Sequence, residues 1–261
     1  MPNIDALVSA GGRDTPKDLL YPLTRGQPKA LLTIAGQPMI QWVLNALAGV
    51  ERIGRVVIVG LDSIEGLHCG DKPLAVVPDS GSMVDNIKAG AKRMRELNPA
   101  ATHGVWVGAD VPSVRAAHIN WLLDTCLATD HEVYYTIIEK ETMQARFPES
   151  KRSYLKLKGH TFCGGDTHMF AQRIFDNLHP VWEPLTAARK NAFRQAAIIG
   201  WRPLWLALTG QLTLSDAEQF AQKRLSVKAR AVVSPHAEMG MDVDKPFQFE
   251  MMARDLQARG R

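Results

Sequence analysis

Cysteine is scarce and unpaired in this 261-residue sequence: Cys69, Cys126 and Cys163 are its three, and no two form a C-x-x-C pair. Such spacing excludes a disulfide framework and a zinc ribbon, and the expectation is buried or incidental thiols in a reducing cytoplasm. The familiar phosphate signatures are missing too. With neither G-x-x-x-x-G-K-[ST] nor G-x-G-x-x-G in the chain, there is no Walker loop and no dinucleotide fingerprint. Apolar runs are short: the most apolar late stretch, 196–208, is broken by Gly200, Arg202 and Pro203 and cannot span a bilayer. The first residues carry Asp5 and no basic cluster, so no secretory leader and a cytoplasmic location are expected. Repeats and low-complexity tracts are absent, and the net charge is a diffuse +4. Nucleic acid would call for a clustered basic face; a small polyanionic substrate suits this charge better.

What remains is a chain long enough to bury a core, opening on Ile4-Asp5-Ala6-Leu7-Val8-Ser9-Ala10-Gly11-Gly12-Arg13. An apolar run ending in two glycines predicts a buried strand whose backbone turns sharply at its carboxyl end. In open α/β sheets, ligands bind at that edge. The glycines let backbone donors approach a phosphate. Arg13 and Lys29, the latter within Gly26-Gln27-Pro28-Lys29-Ala30-Leu31, bring positive charge to the same mouth. Lys29 reads as an exposed loop residue with little weight in folding.

Further on, helical spacing of Ile40, Val43, Leu44 and Leu47 predicts a helix over 38–48, stopped by Gly49. The run 55–60 predicts a buried strand, giving a βαβ unit of a parallel sheet. A third strand over 74–77, the loop 78–82 and a helix over 83–97 capped by Ser82 follow. The strand beginning at Gly104 delivers Asp110 at its carboxyl end, and Ser113 is expected to cap a helix reaching Leu127. Strands over 133–138 and 154–158 flank the charged stretch 139–152, which reads as a surface loop. A strand over 161–170, interrupted by Gly164 and Gly165, implies close backbone approach. From Phe170 to Ser226 the pattern is helical. Ser215-Asp216-Ala217-Glu218 reads as a capping box there, and Trp182, Trp201 and Trp205 as core or subdomain packing. A strand over 229–233 and a helix over 247–257 close the chain.

The stretch Gly26 to Leu31 matches in full the G-x-P-K-x-L half of a known signature, that of the nucleotidyltransferase superfamily with the GT-A-like fold. The chain resembles that superfamily, in particular its MobA-like NTP transferases, alongside the sugar-1-phosphate and cytidylyl transferases. The other half, A-G-G-x-G-[TS]-R, matches at Ala10, Gly11, Gly12 and Thr15. It departs at Asp14 and at Pro16, where arginine is usual, and Arg13 or Lys17 is left to supply that charge. The resemblance implies a single three-layer α/β domain, Rossmann-like with a mostly parallel sheet, carrying a helical insertion over about 171–226.

It also implies roles. Lys29, Arg13 and Asp110 would be catalytic, Ala10, Gly11 and Gly12 would hold the nucleotide phosphates, and Asp79, Ser80, Gly81, Ser82 and Asn86 would contact base and ribose. Gly108-Ala109-Asp110-Val111-Pro112 matches the family's G-x-D-x-P element, whose aspartate is a metal ligand. Asp242-Val243-Asp244-Lys245-Pro246 matches the late D-x-[DN]-x-P element, with Asp244 the first choice as ligand and Asp242 the second. Mg²⁺, or Mn²⁺ in its place, is the implied cofactor, since a hard cation needs one or two carboxylates plus substrate phosphates. Gly164, Gly165, Asp166 and His168 are candidates to line the acceptor pocket. The implied reaction moves a nucleotidyl group from an NTP to a small anionic acceptor, with no nucleic acid and no membrane span involved; a homo-oligomer is compatible with it. The alternatives are a nucleotide- or nucleotide-sugar-binding protein without transfer activity and a glycosyltransferase on the same fold.

Overall fold

Strand β1 (Ile4–Ser9) is buried along its whole length save the last residue, and two parallel neighbours flank it. On one side lie β4 (Ile53–Val59) and then β5 (Leu74–Val77); on the other lies β6 (His103–Gly108). The chain therefore fills one flank of β1 before crossing to the other, and β1 marks the point where the strand order reverses. Ligand crevices open at the carboxyl ends of strands at such a point. The computed structural model describes residues 4–176 and 200–259, together with positions 184, 188, 194 and 198.

Helices cover both faces. α1 (Tyr21–Thr24) is a single turn in the first loop, and the small hairpin β2 (Thr33–Ile34) and β3 (Gln37–Pro38) follows. α2 (Met39–Ala48) starts beside Pro38 and stops at Gly49 as expected, with Ile40, Val43, Leu44 and Leu47 fully buried. Burying each such side chain contributes about 1.5–3 kcal/mol. With α4 (Ala116–Leu127) it forms one layer over Val8, Val56, Ile58, Val105 and Val107. On the opposite face α3 (Met83–Leu97), capped by Ser82, packs Met94 against Leu7, Val57 and Val59.

Beyond β6 the sheet changes character. β7 (Val133–Glu139), β8 (Leu155–Leu157), β9 (His160–Gly164) and β10 (Thr167–Ala171) enter the same sheet through antiparallel ladders, and β11 (Ala229–Ser234) pairs β7 in parallel. The stretch expected as a surface loop contains α5 (Lys140–Arg146), because Met143 and Phe147 point into a second core cluster and supply an apolar anchor that the surrounding charges mask. α4 has its N-cap at Arg115 rather than Ser113: the Arg115 N–H donates to His118 Nδ1 at 3.3 Å, while Ser113 is buried and its carbonyl accepts from Arg259.

α6 (Trp201–Leu208) and α7 (Leu214–Leu225) cover the far side through Leu206, Leu212 and Phe220. The cap of α7 is Thr213 with Asp216, two residues before the expected Ser215, since Thr213 reaches the free N–H of Asp216 at 3.1 Å. Trp201 is 77% exposed and Trp205 half exposed, so neither is core; the apolar face of α6 is carried by Leu206 instead. Trp182 lies outside the described residues. α8 (Pro246–Arg259) ends the chain. Among the described residues no helix is long and apolar enough to cross a membrane, and the three cysteines are free and buried.

Candidate active site

The loops that leave β1 and β4 meet backbone to backbone, and the loop after β5 joins them through side chains. Gly60 has φ of 99°, and a Cβ there would lie 2.2 Å from the Gly11 Cα, so only glycine allows the contact. A Cβ on Gly11 would in turn crowd the Asn86 amide at 3.0 Å. Asn86, buried on α3, donates to Asp79 Oδ1 at 2.8 Å and accepts from the Ser80 N–H at 2.6 Å. Asp79 also accepts from the Gly81 N–H at 2.9 Å. The Asn86 amide and then the Gly81 and Gly12 N–H groups pull its carboxyl below the usual carboxylate range, so it stays ionised. The Ser82 hydroxyl is taken by the first turn of α3, accepting from Asp85 N at 3.0 Å. Ala10, Gly11, Gly12, Asp79, Ser80, Gly81 and Asn86 thus belong to one knot of loops at the reversal point.

Beside it stands a charged centre. Lys29 Nζ donates to Asp110 Oδ2 and to Asp244 Oδ1, both at 2.7 Å. Each partner arrives from a different element: Asp110 just past β6, Asp244 just before α8, with Val243 N bonded to the Asp110 carbonyl at 3.0 Å. The two carboxylate oxygens are therefore at most twice that lysine contact apart. Lys29 is not the exposed residue expected from its loop, because its side chain is only 19% exposed. Burial alone would lower its pKa, but Asp110 and Asp244 outweigh that and raise it above the ordinary lysine value. Ser9, Ala10, Gly11, Ala30 and Ala109 complete the small cleft around Lys29 and Asp110.

Arg13 is at the same mouth but exposed, and its guanidinium pairs with Asp62 at 2.8 Å. Asp14 accepts from Thr24 Oγ1 at 2.9 Å, which fixes the loop where the signature departs from its usual form. Lys17 is exposed.

A second charged group adjoins the first. Arg152, 14% exposed, pairs with Asp242 and, at 3.5 Å, with Asp166. Its Nη2 also donates to the Gly164 carbonyl at 3.2 Å. Asp242 is therefore occupied by a cation of its own. Burial first and Asp110 next push the Asp166 carboxyl up to about 7, against the pull of Arg152. Arg152 had no signal in the sequence; it sits in a charged stretch with no motif.

The glycines expected to face an acceptor pack internally instead. A Cβ on Gly164 would meet the Tyr135 hydroxyl at 2.9 Å, and one on Gly165 would meet Thr136 at 3.1 Å. His168 is buried between Trp106 and Tyr135, at ring distances of 4.9 and 4.5 Å, and accepts from Thr136 N at 3.1 Å. Burial holds it neutral, with its pKa lowered to about 3. Of that group only Asp166 adjoins the charged centre. A roomier hollow of about 200 Å³, lined by Arg146, Phe147, Glu149, Met251 and Asp255, contains none of these residues, and its Arg146 and Asp255 pair with each other.

A mixed, mostly parallel sheet between helices, with loops and carboxylates at the carboxyl edge of β1, defines a GT-A-like nucleotidyltransferase fold. Residues 7–210 match the model of the MobA-like NTP transferase domain, and the chain belongs to that family. A hypothetical transferase from Thermus thermophilus superposes with a TM-score of 0.78 at 31% identity, covering 95% of this chain and 100% of that one. CMP:2-keto-3-deoxy-manno-octonic acid synthetase, solved with CTP, shares the fold at a TM-score of 0.60 and 14% identity, covering 99% of this chain and 100% of that one. A stretch of 55 residues is 47% identical to the 2-aminoethylphosphonate cytidylyltransferase of Lancefieldella rimae (strain ATCC 49626); it spans 20% of this chain and 21% of that protein.

Proposed function

We propose that this protein is a cytoplasmic single-domain enzyme that transfers a nucleotidyl group, with CTP as first-choice donor, to a small anionic acceptor and releases pyrophosphate. One observation carries the reading: Lys29 joins Asp110 and Asp244 at the strand-end crevice, beside the glycine loop. The choice of CTP draws on the cytidylyltransferase relative and on the fold neighbour solved with CTP. An ionised Asp79 is compatible with it, since an acceptor-only carboxylate favours a base that presents an amino group, as cytosine does and uracil does not. The cytidylyltransferase relation favours a phosphonate or phosphate as the attacking group.

In this reading the N–H groups of Gly11 and Gly12, with Arg13 released from Asp62, hold the leaving pyrophosphate, while Asp79, Ser80, Gly81 and Asn86 seat base and ribose and Ser82 caps the helix behind them. An acceptor oxygen attacks the α-phosphorus in line. The new P–O bond forms as the bond to the bridging oxygen breaks, and that electron pair leaves with pyrophosphate. Lys29 turns its charge from the carboxylates to the non-bridging oxygens, where negative charge grows. Asp110 and Asp244 fit a hard cation, being two oxygen donors that already share one positive charge, and they would hold Mg²⁺ or Mn²⁺. Bound there, the metal would neutralise phosphate charge.

Pyrophosphate release from each of the four common NTPs, against a panel of phosphonates, phosphate monoesters and sugar acids, tests this. Release should need both substrates, favour CTP, and stop on chelation of divalent metal. Nucleotide binding with no release from any pair would favour a binding protein without transfer activity.

A further inference from the structure

Arg152 joins segments that the proposed mechanism needs in register, yet it touches none of the groups assigned to the nucleotide. One fork of its guanidinium lies on Asp242, two residues before Asp244; the other reaches Asp166 at 3.5 Å and the Gly164 carbonyl at 3.2 Å. The segment just before it holds the same target from the other end. Gln248 accepts from Asp244 N at 2.9 Å and donates to the carbonyl of buried Ser150 at 3.3 Å. The stretch 150–152 therefore grips the chain on both sides of Asp244. Across the site, Asp166 and Asp110 crowd the same glycine: a Cβ on Gly108 would meet Asp110 Oδ1 at 2.5 Å and the Asp166 Cβ at 3.5 Å.

Charge makes the same point. Asp110, Asp166, Asp242 and Asp244 share one neighbourhood, and Lys29 is already committed to two of them. Without Arg152, Asp242 would lie uncompensated two residues from Asp244, and like charges in a partly dry site repel strongly. A planar fork that hydrogen-bonds a carboxylate on one arm and a carbonyl on the other, with a second carboxylate 3.5 Å away, fixes direction as well as charge, which a lysine cannot reproduce.

We infer that Arg152 is a positioning residue for the transfer step: it fixes Asp244 relative to Asp110 through Asp242 and Asp166, and does not bind the nucleotide. The inference rests on the function proposed above. Because its partners lie outside the nucleotide loops, loss of Arg152 should slow turnover and leave ground-state binding alone.

The test compares wild type with Arg152→Lys and Arg152→Ala, using pyrophosphate release and calorimetric CTP binding. Arg152→Ala should lower kcat about a hundredfold, the scale of an ångström-sized misplacement, and Arg152→Lys should fall between it and wild type. KM and Kd for CTP should stay within about twofold for both variants. Arg152→Lys keeps a charge at the site and guards against an alanine variant that does not fold. An Arg152→Lys protein that melts with wild type and turns over at the wild-type kcat would overturn the inference alone. A rise in Kd matching the fall in kcat/KM would also overturn it, by making Arg152 a binding residue. No pyrophosphate from wild type with any substrate pair would remove the proposed function and this inference together.

Discussion

Lys29 and Arg152 perform the same local task in different ways. Each is mostly buried, and each joins two aspartates from separate segments. A lysine is a point charge on a flexible stem, so its partners can be exchanged. An arginine is a planar fork, hydrogen-bonded here to a carboxylate on one arm and to a carbonyl on the other, so its direction is set by both partners. The first centre can therefore give up its cation to an arriving phosphate while the second keeps the frame still. On the proposed mechanism, the residue that moves and the residue that stays are told apart by side-chain chemistry, since burial is similar for both.

The comparison breaks most sharply at Asp110. Asp110→Asn should reduce pyrophosphate release by about a thousandfold or more, the scale of losing a charge-stabilising group in an active site, while the far-ultraviolet circular dichroism stays native. A variant within tenfold of wild type would mean that Lys29 needs no exchange partner just past β6.

Changing the exchangeable cation for a fixed one is the next largest effect. Lys29→Arg should keep both ion pairs and melt close to wild type, yet lose about a hundredfold in kcat, because a fork pinned on Asp110 and Asp244 cannot follow the α-phosphate. Equal turnover would show that charge alone matters at this position and that stem flexibility does not.

The smallest effect separates both charged centres from the sheet that carries them. His168 is buried neutral, with a pKa of about 3 against an ordinary 6.5. A depressed pKa means that the unfolded chain binds the proton first. Stability from this group is thus present above about pH 6.5 and lost as pH falls toward 3, with a slope of up to about 1.4 kcal/mol per pH unit. Chemical denaturation of wild type and His168→Gln across that window should show a shallower slope in the variant, even if its stability near pH 7 is lower. Identical slopes would assign the acid sensitivity to other groups.

How much of this could be read from the sequence follows the same division. Lys29, Asp110 and Asp244 each stand in a short motif that matches the nucleotidyltransferase superfamily, and that resemblance, more than period or punctuation, implies that they meet at one edge. Ser82, the start of α2 and the stop at Gly49 were legible from local punctuation. Arg152 was not, because its role depends on three partners at distances along the chain that no local pattern encodes. The burial of Lys29 was missed for the same cause: two carboxylates from elsewhere close over it. α5 was hidden because only Met143 and Phe147 mark its inner face. At Gly164 and Gly165 the close approach was read correctly, but what approaches is the protein's own β7, a tertiary fact that composition cannot supply.

The central claim, that Lys29 is exchangeable and Arg152 is fixed, has a direct test. A crystal structure with a non-hydrolysable CTP analogue and Mn²⁺, located by its anomalous signal, reads both residues at once. Manganese is expected on Asp110 and Asp244, with Lys29 Nζ turned to the α-phosphate and Arg152 still on Asp242 and beside Asp166. Lys29 remaining between the two aspartates, with nucleotide and manganese bound elsewhere, would contradict the claim.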